Sequence, residues 1–395
     1  MKYIVSLLII ETLTLFTLKD IVKIRSARVT FLTFIIHFIL SIWLWSLLIK
    51  ALAYKSFFDN PEHISLLMNF TGVICAIVVP RLLLIVLHYT GRLFRIRKGG
   101  YVKWLTYSGL TISILIFSVI TFGTFYTRFN FITENVEIKI KGLNNDLDGL
   151  RIVQLSDLHL SAFYNHSKSL RGVMDRVNAL KPDLILNTGD FVTYGWREFD
   201  SFDTILSVAK SRYGNYAVMG NHDFGTYHPI FTEADRDNNV LIINNKVKAS
   251  GYTILNDTNT TVKIKGAKIG LIGIITKGRF PDIIHGNLGK ALSGLDTVDL
   301  KILLSHDPNQ WQTDVVSKTD IDITLSGHTH AMQMGIYTKI FRWSPAKYIY
   351  PHWNGLYTQG SQAHYVNRGL GLLAIPFRIW MPPEITLITL KREDD

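Results

Sequence analysis

The chain has 395 residues, 48% of them hydrophobic, a mean hydropathy of +0.19 and a formal net charge of +11 at pH 7. Its basic excess sits in short clusters between apolar runs, the placement of membrane-topology signals, so no nucleic-acid partner is expected from that charge. The single cysteine, Cys75, excludes a disulfide framework or a thiolate metal cluster within one chain.

Four apolar segments come first, at about residues 3–18, 29–53, 64–88 and 104–126. A spanning helix needs about 20 mostly apolar residues. The last three qualify; the first, short and interrupted by Glu11, is marginal. An all-α transmembrane anchor is therefore expected over residues 1–128. Lys19, Lys23, Arg25 and Arg28 follow the first segment, and Arg92, Arg95, Arg97, Lys98 and Lys103 follow the third. The connection between them has only Lys50 and Lys55, balanced by Asp59 and Glu62. The positive-inside rule puts the first and third connections in the cytoplasm. The chain beyond Arg128 is then expected on the exocytoplasmic side of a multi-pass cell (inner) membrane protein, whether or not the first segment spans. Glu11, His37 and Arg81 lie within apolar runs. They read as a transport path or as paired groups in a small bundle, and so few polar groups fit an anchor better.

After Phe129 the texture changes. Residues 136–140 alternate like a strand with one wet face. An apolar strand at 150–155 runs into Ser156-Asp157-Leu158-His159, and an amphipathic helix over 167–180 stops before Pro182. A strand at 183–186 ends in Asn187-Thr188-Gly189-Asp190, and a helix is expected over 199–210. A strand at 215–219 ends in Gly220-Asn221-His222-Asp223. Residues 246–255 and 261–275 read as short antiparallel strands of a second sheet. Strands at 300–304 and 321–325 run into Ser305-His306-Asp307 and Gly327-His328-Thr329-His330, and 384–390 closes the chain. Strand, polar turn and helix in alternation argue for an α/β layer. Ligands bind at the carboxyl ends of such strands, where every polar cluster lies. Two imidazoles one residue apart at a strand end suit a transition metal.

Asp157 and His159, Asp190, Asn221 with His222, His306, and His328 with His330 form one ordered set. It resembles the calcineurin-like metallophosphoesterase superfamily, whose pattern is Asp-x-His, Gly-Asp, Gly-Asn-His-Asp/Glu, His and Gly-His-x-His. The Ser-Asp-Leu-His form of the first block and the Pro-Pro-Glu-Ile-Thr stretch at 382–386 look like its membrane-tethered bacterial branch. Where that branch often has two glycines after the last block, this chain has Ala331-Met332. The resemblance implies a four-layer α-β-β-α sandwich over residues 129–395. It also implies two divalent metal ions: Asp157, His159 and His330 on one, Asn221, His306 and His328 on the other, and Asp190 bridging. The oxygen and nitrogen donors suit Mn, Fe or Zn. His222 is the implied general acid, with Asp223 as its orienting partner.

The expected activity is hydrolysis of phosphate mono- or diesters by hydroxide on a dinuclear centre. Tethering near head groups favours a lipid-linked phosphate as the partner. Related enzymes that cleave a nucleotide-diphosphate lipid do so in the cytoplasm, and the expected topology argues against that substrate. A non-catalytic metal-holding scaffold would have lost a ligand or His222, and none is lost. A regulatory domain on a small membrane transporter would show paired intramembrane charges. Outside the blocks, His166, His228, His285, His352 and His364 read as surface or satisfied histidines, with His228 and Tyr227 also placed to line a pocket. Arg368 and Arg378 read as phosphate partners or structural ion pairs. The aromatic stretch from Trp343 to Tyr357 reads as bilayer interface or as packing.

Overall fold

The computed structural model describes residues 2–23, 25–54, 56–98, 103–338 and 340–393. Lys55 and the connection 99–102 lie outside the described residues, as do the side chains of Arg95, Arg97 and Lys98. The chain forms two compact units. One comprises Met1–Phe57, Leu66–Tyr126 and Ala374–Phe377, the other Phe58–Ser65, Thr127–Leu373 and Arg378–Asp395.

The first unit is built from α1 (Lys2–Val22), α2 (Ala27–Ala53), α3 (Pro61–Lys98) and α4 (Lys103–Phe125). Among the described residues, Ala27–Ala53, Pro61–Phe94 and Lys103–Phe129 are long and apolar enough to cross a membrane. Large apolar side chains such as Phe31, Ile39 and Ile42 face outward from α2. That is costly in water and natural in lipid. The polar groups inside the runs are paired. Arg81 Nη1 donates to Glu11 Oε1 at 2.6 Å, Ser41 Oγ donates to Glu11 Oε2 at 2.8 Å, and His37 Nε2 lies 3.3 Å from the same oxygen. Asp20 meets His88 Nε2 at 3.3 Å and Arg92. The paired charges that a transporter would show are therefore present. The Arg81 cluster is closed on itself, since Arg81 also donates to Ser41 Oγ and the His37 carbonyl. Both clusters tie α1 to α3.

Among the described residues the second unit has sixteen strands and four α-helices. In chain order these are β1 (Ile132–Lys141), β2 (Arg151–Leu155), α5 (Ser167–Ala179), β3 (Leu184–Asn187), α6 (Phe202–Leu206), β4 (Asn215–Ala217), α7 (Glu233–Ala249) and β5 (Tyr252–Ile254). Then come β6 (Thr258–Ile264), β7 (Ala267–Ile274), β8 (Thr276–Arg279), β9 (Asp282–His285), α8 (Leu288–Leu292), β10 (Leu300–Ser305), β11 (Ile323–Ser326), β12 (Ile336–Tyr337), β13 (Arg342–Trp343), β14 (Gly355–Gln359), β15 (Gln362–Val366) and β16 (Glu384–Glu393). One six-stranded sheet runs β1-β16-β2-β3-β4-β5, the other β14-β15-β11-β10-β7-β6. Strands β2 to β5 are mutually parallel, as are β7, β10, β11 and β15. Both sheets contribute to one core, where Ile152, Leu184 and Ile388 meet Ile269, Ile302 and Leu325. Helices α5 to α7 cover the outer face of the first sheet through Leu170, Val173, Ile243 and Val247. The outer face of the second packs on Ala291, Leu295 and Trp311. This is the α-β-β-α layering expected.

Residues 246–249 are not strand but the end of α7. A capping box starts that helix: Asp235 N donates to Thr232 Oγ1 at 3.2 Å and Thr232 N to Asp235 Oδ2 at 2.9 Å. Its buried stripe is only Asn239, Ile243 and Val247. With a polar residue in a three-member stripe, the helical period is hard to see. Strand β5 accordingly extends the first sheet beside β4, not the second. The helix expected at 199–210 is shorter, Phe202–Leu206.

Candidate metal centre

Every polar block follows the carboxyl end of a parallel strand: β2, β3 and β4 of one sheet, and β10 and β11 of the other. Packing the sheets face to face brings the five ends together. Asp157, His159 and His330 form one group whose donor atoms lie within 4.8 Å of one another, and Asp190, His306 and His328 form a second. His159 Nε2 and His330 Nε2 are 3.0 Å apart, and His330 Nε2 is 3.2 Å from Asp157 Oδ1. Asp190 Oδ2 lies 3.0 Å from His306 Nε2 and 3.8 Å from His159 Nε2, facing both groups. Asn221 Oδ1 lies 3.0 Å from His328 Nδ1. All seven predicted donors are thus brought to one place.

The donors are held from behind. His306 Nδ1 donates to the Thr188 carbonyl at 2.8 Å, which points Nε2 inward. His159 Nδ1 pairs with Thr193 Oγ1 at 3.2 Å, and Tyr350 Oη with His328 Nε2 at 3.0 Å. Asn221 Nδ2 donates to Tyr227 Oη at 3.0 Å, turning the amide oxygen to the site. Ser156 Oγ donates to Asp157 Oδ2 at 2.5 Å. Sequence reading found none of Thr193, Tyr350 or Ser156 in these roles; only their spatial neighbours reveal them.

The backbone is bent to aim these groups. Asp157 (φ 51°), His159 (40°), Asp190 (57°), His328 (72°) and His330 (47°) are all left-handed, a costly conformation for residues with a side chain. Ala331 and Met332 continue the run at 48° each. Left-handed backbone favours glycine, so the side chains of Ala331 and Met332 add strain to this turn. Gly220 has no such freedom: a Cβ there would lie 2.2 Å from Asp190 Oδ1.

His222 Nδ1 donates to the Thr193 carbonyl at 2.7 Å, and Tyr227 stacks on its ring at 4.0 Å between centroids. Asp223 is not its orienting partner. The Asp223 carboxylate instead accepts the N–H groups of Asp190, Phe191, Val192 and Gly220 at 2.8–3.1 Å. Four converging amides hold it away from the imidazole and fix the loop that carries Asp190. Glu198, missed in the sequence, does the same next door, accepting the N–H groups of Thr193, Tyr194 and Ser161.

The electrostatics favour cations. Burial alone would raise the carboxyls of Asp157 and Asp190, but the imidazoles of His330, His306 and His222 more than offset it and hold both below the usual carboxylate range. Burial lowers His328 to about 4 and keeps His159 well below its ordinary value. At His306 burial is outweighed by the Asp190 and Asp157 carboxylates, which raise it to about 10. Buried His306 Nε2 has the Asp190 carboxylate oxygen 3.0 Å away as its ion-pair partner, and buried His330 Nδ1 makes no hydrogen bond. A converging set of oxygen and nitrogen donors with no thiolate fits divalent ions.

The other candidates fall elsewhere. Arg368 pairs with Glu384 at 3.1 Å and Glu134 at 2.8 Å, and Arg378 donates to the carbonyls of Arg368, Gly369, Gly371 and Met381. Both are structural. His228 is buried against Phe231, 3.4 Å from Asp59, and His285 pairs with Asp307 at 3.1 Å.

Residues 150–332 match the calcineurin-like phosphoesterase family. An uncharacterized metallophosphoesterase of Bacillus subtilis, YkuE, is 32% identical over 265 residues, 64% of this chain and 83% of the relative. The chain belongs to the calcineurin-like phosphoesterase family. As a metallophosphoesterase it is a metal-dependent hydrolase of phosphoesters, and its three apolar helices mark a membrane protein. A zebrafish (Danio rerio) transmembrane protein with a metallophosphoesterase domain is 32% identical over 65% of this chain and 57% of its own length. The UDP-2,3-diacylglucosamine pyrophosphatase LpxG of Chlamydia trachomatis is 27% identical over 61% of this chain and 84% of its own.

Proposed function

We propose that this metallophosphoesterase is anchored in the cell membrane through its N-terminal helices and hydrolyses lipid-linked phosphoesters on the exocytoplasmic face. The observation that carries the reading is the convergence of Asp157, His159, Asp190, Asn221, His306, His328 and His330 from two sheets onto one buried point. Asp157, His159 and His330 would hold one divalent ion, and Asn221, His306 and His328 the other. Asp190, whose Oδ2 faces both groups, would lie between the two ions. Mn, Fe and Zn all suit the donors. The chemistry such ions would supply when bound is an acidified water and positive charge to offset the phosphoester's developing charge.

The chain itself supplies the proton. His222, with Nδ1 committed to the Thr193 carbonyl, keeps Nε2 for the leaving-group oxygen. His222 N–H also fixes Asp190 Oδ1 at 2.9 Å, so acid and bridging carboxylate are positioned together. Support for a lipid-linked substrate comes from the membrane helices and from the relative named for a diacylated sugar nucleotide. Support for the exocytoplasmic face comes from the basic first and third connections.

Changing Asp190→Asn removes the bridging charge. Turnover of p-nitrophenyl phosphate by the metal-loaded protein is expected to fall to background with the thermal melt shifted by only a few degrees. Retained turnover would sink the dinuclear reading. A phosphatase reporter active only outside the cytoplasm, fused after Asp395, is expected to be active; an inactive fusion reverses the topology.

A further inference from the structure

Beside the metal centre lies a small module with a core of its own. Ala331, Ala346, Tyr350, Trp353 and Met381 pack together. On one side the module holds the site: Tyr350 Oη meets His328 Nε2 at 3.0 Å, and Ser344 Oγ donates to the Ala331 carbonyl at 2.6 Å. On the other it turns apolar side chains to solvent. Ile340, at the tip of the β12–β13 hairpin, is 99% exposed, Tyr348 73% and Trp380 63%, with Ile336, Phe341 and Ile349 beside them in the fold or the chain. Residues 378–381 join this module through the Met334–Ile379 bridge and the Gly335 N to Ile379 carbonyl bond at 3.0 Å. Such exposure on one edge of a packed unit marks a surface meant to be covered.

Two features identify the cover. Residues 334–350 contain Lys339, Arg342 and Lys347 and no acidic residue. Aliphatic tip residues beside Trp, Tyr and cations are the composition of a segment lying in an anionic lipid interface. Continuity along the chain agrees. Ala374–Phe377 belongs to the helical unit, where a Cβ on Gly72 of α3 would lie 2.3 Å from Pro376 Cγ. Trp380 follows Pro376 by four residues, a reach of at most about 14 Å.

We infer that the edge formed by Ile336, Ile340, Phe341, Tyr348, Ile349 and Trp380 inserts into the head-group layer of the bilayer, with anionic lipid as its partner. It rests on the lipid-linked reading above only for its purpose, which is to hold the mouth of the metal centre at the depth of a lipid phosphate. The insertion itself is independent of that reading.

The test uses the full chain with Cys75→Ala in nanodiscs of phosphatidylcholine with about one third phosphatidylglycerol. An environment-sensitive fluorophore is placed at Phe341→Cys or, as a control on exposed α7, at Leu241→Cys. Quenching by doxyl-labelled lipid is expected to be at least threefold stronger at 341 than at 241, and weaker at 341 in discs lacking phosphatidylglycerol. With Ile340→Glu and Phe341→Glu together, a label at Tyr348→Cys is expected to lose more than half its quenching while the thermal melt stays in place. Equal quenching at 341 and 241 overturns the inference. So does a signal at 341 that follows protein density and not lipid composition, which would assign the edge to a second copy of the chain. Hydrolysis of p-nitrophenyl phosphate, measured in parallel, reports on the phosphoesterase site and leaves the quenching result interpretable if that site proves inactive.

Discussion

His222 separates from the metal donors by what its two nitrogens touch. Nδ1 donates to a backbone carbonyl, and Tyr227 covers the ring face, so the imidazole has one orientation and one nitrogen to offer. Replacing it with Asn removes the proton donor and leaves the seven donors in place. The expected result is a loss in kcat of about 10²–10⁴-fold for alkyl phosphates, with two metals retained by elemental analysis. The loss should shrink for aryl phosphates with acidic phenols, which leave without a proton; an equal loss for both would make His222 merely structural. The identity of this residue was legible in the sequence, and its support was not. Asp223 follows His222 in the chain, and a carboxylate beside an imidazole invites pairing. The amides of residues 190–192 claim that carboxylate first, and they reach it only because β3 and β4 lie side by side.

At the scale of elements, the turn after β11 carries two donors that serve different groups. His330 faces Asp157 and His159, while His328 faces Asn221. His328→Ala and His330→Ala are each expected to lower the metal content from two per chain toward one. Manganese electron paramagnetic resonance should show loss of the coupled-pair signal in both, with different residual single-ion spectra. Gly327→Ala is expected to lose both ions, because its Cβ would lie 1.9 Å from Ser156 Oγ and 2.3 Å from Asp157 Oδ2, forcing the turn off the facing strand end. A destabilisation of about 1–3 kcal/mol, read by thermal melt, goes with it. The parallel strands around this turn were legible because each is a short apolar run ending in polar residues, buried on both faces. Helix α7 was not, because Asn239 holds a core position by bonding the Asp223 carbonyl and the Trp196 N–H. A polar residue satisfied by tertiary partners erases the pattern from which a helix is read.

For the whole molecule, the centre is a joint between two sheets, so metal and fold stability are linked. The sign follows from His306. Its unfolded value is near 6.5, and in the fold the Asp190 and Asp157 carboxylates overcome burial and raise it to about 10. Without metal it therefore keeps its proton at neutral pH. A raised histidine contributes stability that is fully present below the unfolded value and is lost as pH rises toward the folded one. Between pH 7 and 9 chelated protein should therefore lose stability as pH rises, by on the order of one kcal/mol per pH unit from this group. The depressed carboxylates and the lowered His159 and His328 titrate below that window, but Asp223, raised by burial and by the Asp190 charge to about 8, adds to the loss up to about that pH. Metal binding must expel the His306 proton, so affinity rises with pH over the same range. The difference in melting temperature between loaded and chelated protein is thus expected to widen steadily from pH 7 to 9. Calorimetric titration with a divalent ion at pH 7.5 should release about one proton from this site, seen as a dependence of the heat on buffer ionisation enthalpy. A gap that stays constant with pH, together with buffer-independent heats, would mean that His306 is already neutral in the chelated fold and that the two carboxylates do not act on it as a pair.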